Sequence, residues 1–319
     1  MDPVEVSPQL GIAAVERDTG LSKDLLRVWE RRYGFPTPRR DAQGERLYPL
    51  EQVQRLRQIK RLIDAGHRPH QVVSLEAPEL QARLQALQER PATTPLTAAA
   101  PEGAELDRLL APLFQHQPHE LLDALQAELL RLGLERFIVE LLAPLIERVG
   151  QLWADGRVQI HEEHLFSEVV QQQLRRALAQ LGPALGARPR VLLSTLPGEE
   201  HGLGLLMVHC LLAAAGCECR SLGLQTPLPE LAQACARHEA DVLALSFSSY
   251  ASPALVEEGL QTLHASLAEP CELWAGGRAA GLRRPFAQRL QRLRVLAELP
   301  ELGRAVQAWR NHEGPATKA

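Results

Sequence analysis

The chain predicts a multidomain protein. It has a winged helix-turn-helix head, a four-helix bundle, and an α/β domain with a parallel, flavodoxin-like (Rossmannoid) sheet. Three observations predict this. Two short apolar helical segments about a glycine turn precede an Arg-rich hairpin within the first 77 residues. Helical periodicity without strand alternation runs from 104 to about 185. From Arg190 on, short apolar runs alternate with helical segments, as in a parallel sheet with crossover helices. At 319 residues and 45% hydrophobic composition the chain has room for two or three domains with sizeable cores. No apolar run reaches the roughly 18 residues of a membrane span. The acidic start Met1-Asp2-Pro3-Val4-Glu5 lacks a hydrophobic signal core, so a cytoplasmic protein is expected. Five cysteines, an odd count scattered through the second half, set no disulfide framework. Cys217 and Cys219 lack a second pair for zinc and read as strand residues.

The head is read as residues 1–77. Leu10 to Val15 reads as a short helix and Asp18-Thr19-Gly20-Leu21 as a turn. Ser22 is a good N-cap for the helix from Lys23 to about Arg32. That second helix carries Lys23, Arg27, Arg31 and Arg32, with Leu25, Leu26, Val28 and Trp29 available for the core. Gln43-Gly44 then turns between two short arms that bear Arg39, Arg40 and Arg46, a wing suited to phosphate contacts. Pro49 opens a long helix over Leu50–Asp64 with Val53, Leu56, Ile59, Leu62 and Ile63 on its apolar face. Charge is uneven. Twelve Lys/Arg against six Asp/Glu between Ser22 and Arg68 give +6, so the overall −4 leaves −10 on the remainder. A basic head on an acidic body places any nucleic-acid contact on the head.

Residues 78–103 read as a linker, partly helical over Glu76–Arg90 and then rich in Pro, Thr and Ala. The helical block, 104–186, holds four segments: one from Leu106, then Leu121–Leu132, Arg136–Trp153 and His164–Leu181. Spacing alone reads Trp153 as a core aromatic and His164 as a surface helix residue.

The last part, 187–319, reads as strands 190–196, 217–223, 241–248, 271–277 and 293–298. The helices between and after them read as 202–215, 228–238, 253–266, 282–290 and 301–311. In a 2-1-3-4-5 order the first, third and fourth strands are neighbours, and their carboxyl ends face one crevice. Their loops carry Glu199-x-His201-x-x-Gly204, Ser246-x-Ser248 and Gly276-Gly277. A neutral imidazole there is a good ligand for a transition metal, and Glu199 is placed to hold its other ring nitrogen. Read without its neighbours, such a loop histidine is more often a solvated turn residue. Hydroxyls and a side-chain-free floor beside it suit a flat organic group. No GxGxxG fingerprint is present, which counts against a dinucleotide.

Leu21–Tyr48, with Val28-Trp29-Glu30-Arg31-Arg32-Tyr33-Gly34 and Arg46-Leu47-Tyr48, resembles the DNA-binding domain of MerR-type winged-helix regulators, which bind DNA as dimers. The resemblance makes Lys23, Arg27, Arg31, Arg39, Arg40, Arg46 and Tyr48 the expected DNA-contacting residues on a double-stranded operator. The heptads of relatives that dimerise through a long coiled coil are missing, so dimerisation must come from elsewhere. The three loop motifs resemble the cobalamin-binding domain of corrinoid proteins. This implies His201 as the lower ligand of cobalt, in place of the benzimidazole base. The displaced base is then expected in a slot lined by Ser246 and the glycine pair. Two positions depart from the usual pattern: Glu199 where Asp is usual, and Ser248 where Leu or Thr is common.

Together the three parts resemble the CarH/LitR class of light-sensing regulators. The resemblance implies adenosylcobalamin as cofactor, with the bundle capping its upper face and Trp153, Glu163 and His164 packed around the adenosyl group. It also implies a homo-oligomer, dimer or tetramer, that binds DNA as a repressor and comes apart when light breaks the cobalt–carbon bond. In the best-known branch the residue after the tryptophan is a histidine that captures cobalt after photolysis. Here it is Ala154, which leaves His161, His164 or water for that role. A corrinoid enzyme needs a substrate barrel of about 250 residues, which no segment supplies, so no enzyme is expected. A regulator of the same architecture that senses another tetrapyrrole, or acts without cobalamin, is the alternative. So is an anti-repressor that uses its body to bind protein, against which the crowded arginines of the head argue.

Overall fold

The computed structural model describes residues 9–64, 67–88 and 103–313, so the acidic N-terminus and the Pro-rich connector lie outside the described residues. In the head the elements are β1 (Gln9–Gly11), α1 (Ile12–Thr19), α2 (Lys23–Tyr33), β2 (Arg39–Arg40), β3 (Arg46–Pro49), α3 (Leu50–Asp64), α4 (Pro69–Val72) and α5 (Ala77–Gln88). The first helix starts at Ile12 rather than Leu10. Leu10 instead pairs with Tyr48 in an antiparallel three-stranded sheet of order β1-β3-β2. Gly20 ends α1 in the left-handed region (φ 66°) and returns its N–H to the Glu16 carbonyl. The Ser22 hydroxyl caps α2 by accepting from the Leu25 N–H at 3.2 Å. Val15, Leu26, Trp29, Tyr48, Val53, Leu56, Ile59, Leu62 and Leu80 form one buried core.

The helical block consists of α6 (Gly103–Leu109), α7 (Ala111–Phe114), α8 (Pro118–Leu132), α9 (Leu134–Arg136), a π-helical segment (Phe137–Leu142), α10 (Ala143–Ala154) and α11 (Ile160–Leu181). The first expected helix is broken between Leu109 and Ala111. The third runs continuously from Leu134 with one widened stretch. By contacts the chain forms two compact units. Among the described residues, one joins 9–88 to 148–163, and the other joins 103–147 to 164–313.

The α/β part runs β4 (Arg190–Ser194), α12 (Leu203–Ala214), β5 (Glu218–Ser221), α13 (Leu228–Arg237), β6 (Val242–Phe247), α14 (Pro253–Ser266), β7 (Glu272–Gly277), β8 (Leu293–Leu296) and α15 (Glu301–Glu313). The five strands are parallel in the order β5-β4-β6-β7-β8, the expected 2-1-3-4-5. Every residue of β6 is buried, which is why it reads as a continuous apolar run rather than an alternating one. The helix expected over 282–290 is instead two 3-10 turns, Ala280–Arg283 and Pro285–Arg289. Pro285 lacks the N–H that would carry a helix through. With β4, β6 and β7 side by side, the loops after them meet at one edge of the sheet.

Candidate functional site

The loop after β4 turns at Gly198 (φ 87°) and is held by the Thr195 hydroxyl, which donates to the Glu199 carbonyl at 2.7 Å. This buries the Glu199 side chain at the mouth of the sheet, 1% exposed. One carboxylate oxygen accepts from the His201 N–H at 3.0 Å and lies 2.7 Å from His201 Nδ1. The other accepts from the N–H and the hydroxyl of Ser248, both at 2.8 Å. Burial alone pushes this carboxyl up. The bonds from His201 and Ser248 outweigh burial and hold it below the ordinary glutamate value. An ionised Glu199 takes the proton-bearing Nδ1 of His201 as its donor. The Nε2 lone pair is then the end left for a ligand. The His201 side chain is 53% exposed, and its ring lies parallel to that of Tyr250, 4.7 Å between centroids and 13° between planes.

The glycines of these loops are fixed by close approach. A Cβ on Gly204 would sit 2.8 Å from the hydroxyl of buried Ser246. At Gly277 (φ 118°) a Cβ would fall 1.9 Å from the Phe247 carbonyl oxygen, and on Gly276 one would lie 3.1 Å from the Leu296 carbonyl. Glu199, His201, Gly204, Ser246, Ser248, Gly276 and Gly277 thus share one edge of one sheet. The two departures from the usual motif answer each other: the longer Glu199 reaches a serine hydroxyl that Leu would not offer.

In the head, Arg27, Arg31, Arg39 and Arg40 are exposed, while Lys23 and Arg46 are half-buried. Lys23 pairs with Glu16 at 3.3 Å and Arg46 with Glu30 at 2.9 Å. The bond to Glu30 holds the Arg46 guanidinium above its ordinary value. Arg40 donates to the Gly44 carbonyl at 2.7 Å, tightening the wing turn. Tyr48 corrects an expectation. It is fully buried in the head core and does not face DNA. Its place in β3 lies opposite Leu10 of β1 and under α1.

Trp153 is the penultimate residue of α10, half-buried, and Ala154, which ends the helix, is buried. The Arg57 guanidinium lies over its ring, 4.3 Å from the centroid, and Arg57 Nη1 donates to the Trp153 carbonyl at 3.3 Å. Gln54 donates to the Asp155 carbonyl at 3.2 Å. Glu163 is half-buried and His164 exposed in the first turns of α11. Sequence reasoning missed Tyr250 and Arg57. Tyr250 lies two residues past Ser248, and no spacing marks it. Arg57 had one usable signal: it falls next to Leu56, on the part of α3 that otherwise faces the core.

Among the described residues, no helix is long and apolar enough to cross a membrane. Residues 10–75 match the family model of MerR HTH family regulatory proteins. Residues 105–177 and 189–287 match two B12 binding domain models. The chain is 33% identical over 274 residues to the HTH-type transcriptional repressor CarH of Myxococcus xanthus, covering 85% of this chain and 89% of that one. It is 33% identical over 249 residues to the HTH-type transcriptional repressor CarA of the same organism, covering 76% and 78%. Both relatives are transcriptional repressors. The monomethylamine corrinoid protein of Methanosarcina barkeri aligns over 63% of this chain and 96% of its own, with a TM-score of 0.51 at 14% identity, a likeness of fold.

Proposed function

This chain belongs to the family of HTH-type transcriptional repressors that includes CarH and CarA, and we propose that it is an adenosylcobalamin-dependent, light-responsive repressor that binds operator DNA as a homo-oligomer. The observation that carries the reading is the Glu199–His201 pair. A buried, ionised carboxylate holds Nδ1 and leaves Nε2, on a half-exposed ring, as an axial base for a cobalt corrinoid. That donor set suits cobalt, and the B12 binding domain match covers it.

His201 would hold the metal from below while Glu199 and Ser248 fix the ring's tautomer. Gly276 and Gly277 would leave the sheet edge bare for the cofactor's base, beside Ser246. Trp153, Glu163 and His164 are the residues proposed to surround the upper ligand. Buried Ala154 offers no imidazole there. When bound, adenosylcobalamin supplies a light-labile cobalt–carbon bond. Arg27, Arg31, Arg39 and Arg40 present the head's charge to phosphates. A cofactor form that prefers the assembled state stabilises it by its differential affinity. Driving the equilibrium from 1:99 to 99:1 takes about 5.5 kcal/mol. Two heads on one assembly then raise operator affinity through effective concentration.

The test is to incubate the purified chain with adenosylcobalamin in the dark, desalt it, and measure its size and operator retention before and after green light. The expected result is a coloured protein whose assembly and DNA binding fall on illumination, with His201→Ala retaining less colour. A colourless wild type would sink the cobalamin reading and favour a regulator that uses another tetrapyrrole or none. A coloured protein indifferent to light would leave a cobalamin-level sensor.

A further inference from the structure

We propose that Tyr250 is a positioning residue that sets the ring plane of His201. The inference rests on the reading of His201 as the axial base of a cobalt corrinoid and deepens it. The bond from Nδ1 to Glu199 places one atom of the imidazole but leaves the ring free to rock about that bond. His201 is half-exposed, so little else crowds it. The Tyr250 ring closes one flank, parallel within 13° at 4.7 Å.

Tyr250 is itself tied to the same site. Its backbone N–H donates to the Ser248 hydroxyl at 3.1 Å, and that hydroxyl donates to Glu199 at 2.8 Å. His201, Glu199, Ser248 and Tyr250 therefore form a closed circuit of contacts: two side-chain hydrogen bonds to one carboxylate, a backbone anchor, and a ring stack. The carboxylate sets which nitrogen would face a bound metal, and the tyrosine sets the direction in which that nitrogen would point. An aromatic pair of this kind biases a side chain by about 2- to 10-fold. Without it, a comparable share of the axial bond's formation constant is lost to reorienting the ring. Flank-on stacking leaves Nε2 uncovered, so the restraint is compatible with metal binding.

The experiment compares wild type, Tyr250→Leu and Tyr250→Phe in two states. In the apo chain, side-chain 1H–15N spectra read the ring-current shift of the His201 imidazole. In chains loaded with cob(II)alamin and labelled with 15N-histidine, electron paramagnetic resonance reads the ratio of histidine-bound to histidine-free cobalt. Tyr250→Leu should lose the ring-current shift and lower that ratio about 2- to 10-fold, while Tyr250→Phe, which keeps the ring, should match wild type in both. A Tyr250→Leu chain that matches wild type in either measurement would overturn the proposal. So would a Tyr250→Phe chain that fails as Tyr250→Leu does, since the hydroxyl would then be responsible. A wild type without the histidine nitrogen signal would instead refute the axial-base reading, and the apo spectra would still judge the stack.

Discussion

Arg57 offers a sharp perturbation of the head. Its Nε and Nη2 donate to the two oxygens of Asp18, each at 3.0 Å, with side chains 6% and 3% exposed. Its plane also covers Trp153, and Nη1 reaches the Trp153 carbonyl. Arg57→Met keeps the packed stem and removes the charge, which takes two charged donors from the buried Asp18 carboxylate. Removing one member of a buried pair costs about 3–5 kcal/mol, whereas replacing both members by apolar groups is often near neutral. The stack on Trp153 contributes about 0.5–2 kcal/mol of its own. A multidomain chain gives no single unfolding free energy, so the assay is native-state hydrogen exchange read on the amides of α1, α3 and residues 153–156. Arg57→Met should lower the opening free energy of α1 and α3 by about 3–5 kcal/mol and expose the 153–156 amides. Trp153→Leu should cost about 0.5–2 kcal/mol, and Asp18→Leu with Arg57→Met should recover most of the loss. Unchanged α3 protection in Arg57→Met would refute the pair as a support of the head. A double variant as damaged as the single would assign the loss to packing rather than to charge.

Three further outcomes are expected. Gly277→Ala forces a side chain against the Phe247 carbonyl at a positive φ, and should destabilise the sheet edge by at least about 1–3 kcal/mol and weaken corrinoid retention in a desalting assay. Glu199, whose folded carboxyl is held below its unfolded value, contributes stability that is full above the unfolded value and lost as pH falls through the folded one. The advantage of wild type over Glu199→Gln in the opening free energy of β4 and β6, read by native-state hydrogen exchange, should therefore shrink on acidification and not on alkalinisation. Arg39→Ala and Arg40→Ala should each flatten the slope of log affinity against log salt by about 0.9 for each head engaged on DNA, while Tyr48→Phe, buried, should leave that slope unchanged.

The strands and most helices were legible because their signals are local. A buried parallel strand is a short apolar run, a helix repeats its apolar face every three to four residues, and Ser22 and Gly20 mark caps by chemistry alone. The failures were also physical. The resemblance to MerR-type domains sets Tyr48 beside Arg46 among the expected DNA contacts, and strand alternation does place the two on one face of β3. The pairing of Leu10 with Tyr48 then closes the core over the tyrosine, and Arg46 stays half-exposed beside Glu30. The stretch 282–290 had helical residues, but Pro285 divides it.

What the sequence by itself determined is the set of parts: a basic winged head, a helical block, a five-stranded parallel sheet, and a carboxylate–histidine pair two residues apart whose bond is local and short. What only the tertiary structure decided is which distant residues complete that pair and the head. Ser248 reaches Glu199 across 49 positions, Tyr250 stacks on His201, and Arg57 meets Trp153 across 96. Contacts of that kind depend on how strands and helices pack after long loops have closed. No periodicity or spacing along the chain records them.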